Sequence, residues 1–235
     1  MITGIVSLQL MQFFMNVDSV SGTFGTMKKI AQIMDTDSEP DGGEPVPEVC
    51  ADIEFDNVSF AYAGGQDVIK NLSVKIPMGK VTAVIGGNGA GKSTLFKLLL
   101  HLYEPKSGEI RFGGDGIGKY SLTDWRDRFA VVSQRNPLIG GTVRENIAYG
   151  LDREVSDEEL AETARRANFS GGQGQCISIA RAMLRNADYL LLDKATSNLD
   201  VVSEAEVTGA MDELMRDKTT IMIAHNYAAT RNATT

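Results

Sequence analysis

Nine consecutive residues, Gly86-Gly87-Asn88-Gly89-Ala90-Gly91-Lys92-Ser93-Thr94, leave this chain few folds to choose from. From Gly86 to Ser93 they match G-x-x-x-x-G-K-[ST], a loop that needs a strand before it and a helix after it. The flanks supply both. Val81-Thr82-Ala83-Val84-Ile85 reads as a short buried strand, and Leu95-Phe96-Lys97-Leu98-Leu99-Leu100 continues as an apolar helix. Backbone N–H groups of such a loop turn inward around phosphate oxygens, and the helix N-terminus adds partial positive charge. Lys92 is placed to reach β- and γ-phosphates, and the Ser93 hydroxyl to ligate Mg²⁺. The alternative is a glycine-rich turn with no ligand. The strand–loop–helix setting favours a nucleotide site built from Gly86, Asn88, Gly89, Ala90, Gly91, Lys92, Ser93 and Thr94.

The chain's 235 residues suffice for one good core and a small appendage. A hydrophobic content of 43% with 23% charged residues is ordinary for a soluble globular protein. The net charge of −8 argues against a nucleic-acid partner, which calls for a basic face. Cys50 and Cys176 lie far apart and read as reduced thiols rather than a disulfide framework.

Met1 to Met15 is apolar but interrupted by Thr3, Gly4, Ser7, Gln9 and Gln12. Crossing a bilayer needs about 20 apolar residues. The stretch also lacks the basic start and cleavage site of a signal peptide. Residues 1–34 can be drawn as one amphipathic helix, either docked on the domain or forming the inner end of a transmembrane helix. Residues 35–50, with Pro40, Gly42, Gly43, Pro45 and Pro47 among acids, read as a linker before a domain spanning 51–235. Ile53-Glu54-Phe55, Val58-Ser59-Phe60 and Val68 to Ile76 predict strands of an antiparallel piece. Glu109 to Phe112, Phe129 to Ser133, Tyr189 to Asp193 and Thr219 to Ala224 predict further strands. Helices are predicted from Ser156 to about Ala167, with Ser156 and Glu159 in capping-box register, from Gly172 to Leu184, and from Val201 to Met215. Strands alternating with helices point to a parallel sheet in an α/β domain.

Several short motifs follow the loop in a fixed order. They are Gln134 after a strand, Ser170-Gly171-Gly172-Gln173 at a helix start, Asp193 ending an apolar strand, Ser197-Asn198-Leu199-Asp200, and His225 after Ile221-Met222-Ile223-Ala224. With Tyr62 upstream, this ordered set resembles the nucleotide-binding domain of an ATP-binding cassette (ABC) transporter of the exporter type. The resemblance runs from Tyr62 to His225. It implies a P-loop NTPase core with a parallel sheet, an antiparallel β subdomain and a shortened helical subdomain. It also implies ATP and Mg²⁺ as cofactors, a transmembrane domain as partner, and a homo- or heterodimer with a second nucleotide-binding domain. The location implied is the cytoplasmic face of the plasma membrane.

By the same resemblance, Tyr62 stacks on adenine, and Ser93, Gln134 and Asp193 surround Mg²⁺. Ser170, Gly171, Gly172 and Gln173 close on the partner's γ-phosphate, Asp200 lies in a loop crossing to the partner, and His225 contacts the γ-phosphate. Gln175, Ala180 and Arg181 continue the pattern. Residues 1–34 then resemble the end of a last transmembrane helix, and the chain a half-transporter truncated at both ends.

Three departures stand out. The residue after Asp193, a water-polarising Glu in the family, is Lys194. A carboxylate accepts a hydrogen bond from water, whereas an ammonium can only donate one. The expectation is therefore ATP binding with little hydrolysis at this site. Second, Arg165-Arg166-Ala167-Asn168 runs straight into Phe169-Ser170, where the family carries a longer helical subdomain. Third, the chain stops at Thr235, soon after His225, where the family adds further strand and helix; the signature is also flanked by Phe169 and Gly174, where the family usually has Leu and Arg.

Overall fold

The computed structural model describes residues 27–31, 34–35, 39, 42–134, 137–169, 174–194 and 201–224, with side chains in the last stretch from 207 onward. The chain divides into two units, Met1–Pro40 and Asp41–Thr235. In the first, residues 27–31 and 34 are helical and solvent-exposed (α1). The rest of the helix expected over residues 1–34 lies outside the described residues.

The described residues of the second unit, Asp41–Thr235, form two four-stranded sheets. The first comprises β1 (Ile53–Ala61), β2 (Asp67–Ile76), β4 (Ser107–Phe112) and the short β5 (Asp115–Gly116), antiparallel throughout in the order β2-β1-β4-β5. The second comprises β3 (Val81–Ile85), β6 (Phe129–Ser133), β7 (Tyr189–Asp193) and β8 (Thr219–Ala224), all parallel in the order β3-β8-β7-β6. Alternate residues of β7 serve two cores, as a strand covered on both faces requires. Tyr189 and Leu191 join Phe112, Trp125, Ile221 and Ile223 in one cluster, and Leu190 and Leu192 join Val132, Ile179 and Leu214 in the other. Each fully buried leucine there contributes about 1.5–3 kcal/mol.

The first core is closed by α2 (Lys92–Leu99) and α3 (Leu122–Asp127). The Trp125 indole N–H of α3 donates to the Leu99 carbonyl at 2.8 Å, so the ring is buried without orphaning its donor. The second core is covered by α5 (Asp157–Arg166), α6 (Gly174–Arg185) and α7 (Val201–Met215), with α4 (Val143–Ile147) beside α6. Neither Cys50 nor Cys176 forms a disulfide.

The structure revises several local expectations. The two strands expected at Ile53–Phe55 and Val58–Phe60 are one strand, β1, kinked where the register shifts between Phe55 and Val58 around Asn57, whose φ is 51°. Ser156 does cap α5, accepting from the Glu159 N–H, but the reciprocal half is missing because Arg153 takes both Glu159 carboxylate oxygens. The full capping box sits instead at Thr142 and Glu145, opening α4. Residues 42–50 have neither helix nor strand, as a linker should, yet they are pinned to the domain. Glu44 exchanges backbone hydrogen bonds with Lys119 and Ser121, and Val46 packs on the first core.

At its far end α5 closes in a Schellman turn. The Asn168 N–H donates to Arg165 O at 3.1 Å and the Phe169 N–H to Ala164 O at 3.0 Å, with Asn168 at φ 52°. Ala164 and Phe169 both pack on the second core, the apolar contact that usually accompanies this turn.

Candidate nucleotide-binding site

The parallel register gathers the site. Ile85 lies beside Ala224, Ile223 beside Asp193, and Asp193 beside Ser133. The segments leaving β3, β6 and β7 therefore emerge side by side at the carboxyl edge of one sheet, where open α/β sheets bind ligands. They begin with Gly86, Gln134 and Lys194. Gln134 is exposed in a bend, and Lys194, half-buried at φ 53°, is held by its N–H donating to Ile223 O at 3.3 Å. Ser170, Gly171, Gly172, Gln173, Asp200 and His225 lie outside the described residues.

Gly89 and Gly91 both have φ of 80°, the left-handed region that favours glycine. At Gly91 a Cβ would also come within 3.0 Å of Val68 Cγ1 and 3.2 Å of Val68 O. Gly91 is the N-cap of α2, so no side chain caps that helix, and its first turn carries no acid. The helix start therefore presents amides and partial positive charge to whatever fills the loop. Lys92, buried at 8% exposure, folds back to donate to the carbonyls of Gly86 and Gly87, each at 2.7 Å. These uncapped amides and the adjacent ammonium suit a polyanion.

Next to the loop, Ser93 Oγ donates to Asp193 Oδ2 at 3.3 Å. The other carboxylate oxygen, Asp193 Oδ1, is buried with no hydrogen-bond partner among the described residues. A buried carboxylate oxygen left unpaired is costly, and a hard divalent cation satisfies it. Among the described residues no group of three or more His, Cys, Asp or Glu could hold a metal unaided. One carboxylate and one hydroxyl are oxygen donors of the kind a hard divalent cation takes, and they would hold one only together with phosphate and water oxygens.

Tyr62 reaches this assembly from β1. Its Oη lies 3.1 Å from Thr94 Oγ1 of α2, and its ring meets Phe60 and Tyr103 edge-on at 5.0 and 5.3 Å. Two contributors escape a reading by motif. They are Tyr103 and Lys97, whose ammonium sits 5.3 Å from the centre of the Tyr62 ring. The available signal for Lys97 is a single charge inside the apolar run Leu95–Leu100.

The fold and site together define a phosphate-binding α/β domain, and comparison with known proteins gives it a family. The family described as ABC transporter matches residues 69–197, more than half of the chain. The chain belongs to the ABC transporter family. It is 39% identical over 213 residues to an uncharacterized ABC transporter ATP-binding protein, y4gM, of Sinorhizobium fredii, covering 81% of this chain and 36% of that protein. It is 38% identical over 226 residues to the ATP-dependent lipid A-core flippase of Escherichia coli, covering 86% of this chain and 39% of the flippase. A solved bacterial Atm1-family ABC exporter with ATP bound superposes with a TM-score of 0.78 at 29% identity, covering 88% of this chain and 40% of that one. The chain thus spans about two fifths of the length of these relatives. Because 226 aligned residues occupy only 86% of a 235-residue chain, the flippase carries positions with no counterpart here. Among the described residues no helix is long and apolar enough to cross a membrane.

Proposed function

We propose that this chain is the ATP-binding domain of an ABC exporter, holding Mg-ATP in the Gly86–Thr94 loop to power export across a membrane. The observation that carries the reading is the loop with its uncapped helix beside a serine–aspartate pair whose second carboxylate oxygen has no partner. Residues 51–235 form the ATP-binding domain, 35–50 its connection, and 1–34 the inner end of a last transmembrane helix. The partners are a transmembrane domain and a second nucleotide-binding domain, meeting at the cytoplasmic face of the plasma membrane. In this reading Lys92 and the loop amides grip the phosphates, Ser93, Asp193 and Gln134 hold Mg²⁺, and Tyr62 stacks on the base. Ser170, Gly171, Gly172, Gln173 and Asp200 serve the dimer interface, and His225 meets the γ-phosphate. Bound Mg²⁺ supplies charge neutralisation at the phosphates.

A second reading is favoured by Lys194. Water attack on phosphorus needs an acceptor for the water's proton, and loss of a general base typically costs about 10²–10⁴ in rate. The site then binds ATP without efficient turnover, and hydrolysis falls to a partner's site.

Calorimetric titration of the chain with Mg-ATP tests the binding common to both readings. Lys92→Ala removes charge-assisted hydrogen bonds worth about 1.5–3 kcal/mol, so affinity should fall by roughly 10–100-fold. Undiminished affinity in Lys92→Ala rules out the loop as the phosphate site.

A further inference from the structure

Lys97 sits in the last turn of α2, one helical turn past Thr94, so the two side chains share a face. Both reach the same phenol. The Lys97 ammonium donates to Tyr62 Oη at 3.3 Å, and Thr94 Oγ1 lies 3.1 Å from that oxygen. The ammonium also stands 5.3 Å from the centre of the Tyr62 ring, on its hydroxyl side, and 5.8 Å from that of Tyr103. Phe60, Tyr62 and Tyr103 pack edge-to-face on one another, with centroids 5.0, 5.3 and 5.5 Å apart. The Tyr62 ring is thus held at its hydroxyl by two groups of one helix and packs perpendicular to two further rings.

We infer that Lys97 is a positioning residue for base recognition, locking Tyr62, together with Thr94 and Tyr103, as a preformed platform for the purine of the nucleotide. This rests on reading the Gly86–Thr94 loop as a nucleotide site. Base–aromatic stacking is insensitive to which base is stacked, so its strength depends on whether the ring is already in place. The same helix that grips the phosphates through Lys92 grips the base platform through Thr94 and Lys97. A lysine in a last turn also favours the helix dipole. That structural role acts on phosphate and base binding alike, which gives the test its discriminating readout.

The test is calorimetric titration of the full chain, and of Lys97→Met and Lys97→Arg, with Mg-ATP and with magnesium tripolyphosphate, which has no base. Methionine keeps an unbranched stem but loses the charge and the donor, whereas arginine keeps both and stacks well on rings. Lys97→Met should weaken ATP binding about three- to tenfold while leaving tripolyphosphate within about twofold. Lys97→Arg should restore most of the ATP affinity. Retained tripolyphosphate binding also certifies that the variant is folded. Unchanged ATP affinity in Lys97→Met, or equal loss for both ligands, overturns the role of Lys97 and leaves the nucleotide site standing. Binding of neither ligand by the unaltered chain removes the site and this inference with it.

Discussion

Ser93 and Asp193, a hundred residues apart in sequence, meet at 3.3 Å through Oγ and Oδ2. The contact joins the first turn of α2 to the end of β7, and it leaves Asp193 Oδ1 buried without a partner among the described residues. In the proposed function this pair holds the cation of Mg-ATP. It makes divalent-ion dependence the most specific consequence of the geometry.

In the unaltered chain ATP should bind at least about tenfold more tightly with Mg²⁺ than with a chelator, because one charge-assisted contact is worth this much. Asp193→Asn should bind ATP about equally in both conditions. Its melting temperature should stay within about 3 °C of the parent, since the amide keeps an oxygen that can accept from Ser93. Parallel titrations with and without Mg²⁺, plus a thermal melt, check both halves.

Tyr189 supplies a pH test of the fold. Fully buried, its hydroxyl donates to Ala51 O at 2.6 Å and accepts from Ala51 N–H at 2.9 Å. Burial pushes its pKa up to about 12, the Ala51 contact opposing the shift without cancelling it. The unfolded chain's tyrosine releases its proton near pH 10. The folded state therefore holds the proton more tightly. Its contribution to stability is complete below about pH 10 and is lost as pH rises toward 12. Tyr189→Phe should flatten that alkaline limb of a urea-unfolding series. At neutral pH it should cost about 1–3 kcal/mol, because both Ala51 backbone groups lose their partner.

The helix end at Asn168 makes a third prediction. A left-handed conformation costs a residue with a Cβ about 1–2 kcal/mol, less for asparagine, and glycine adopts it freely. Asn168→Ala should therefore be less stable than Asn168→Gly by about 1 kcal/mol in chemical denaturation. Equal stability of the two variants would mean that the Schellman turn does not close α5.

The elements legible in the sequence are those whose signal is local and apolar. The runs at Val81–Ile85, Phe129–Ser133 and Tyr189–Asp193 coincide with β3, β6 and β7 because parallel strands carry continuous apolar runs, although β3 is only half-buried and Ile85 is exposed rather than buried as expected. Elements without such runs escape. α3 and α4 are five or six residues long and show only their caps, Ser121 and Thr142. The Ser156 box fails because Arg153, upstream of the helix, outbids the backbone for Glu159. The docking of Glu44 on Lys119 and Ser121 uses backbone atoms, which leave no mark in side-chain chemistry.

The same divide runs through the site. The loop is readable because phosphate binding demands glycines and a lysine at set spacing. That Asp193, Lys194 and Gln134 emerge beside it depends on the strand order β3-β8-β7-β6, which no local pattern encodes. Lys97 acts on a ring that follows β1 and is distant in sequence, so its role emerges only once β1 and α2 are packed together.

In the reading that Lys194 favours, the site holds Mg-ATP but lacks the proton acceptor that hydrolysis needs. The most direct test measures ATP affinity and ATP turnover on the same sample, for the chain as it stands and for Lys194→Glu. Both proteins should bind Mg-ATP with similar affinity, and turnover should rise at least about 100-fold in Lys194→Glu. Equal turnover in the two, or no binding of Mg-ATP by the unaltered chain, would contradict it.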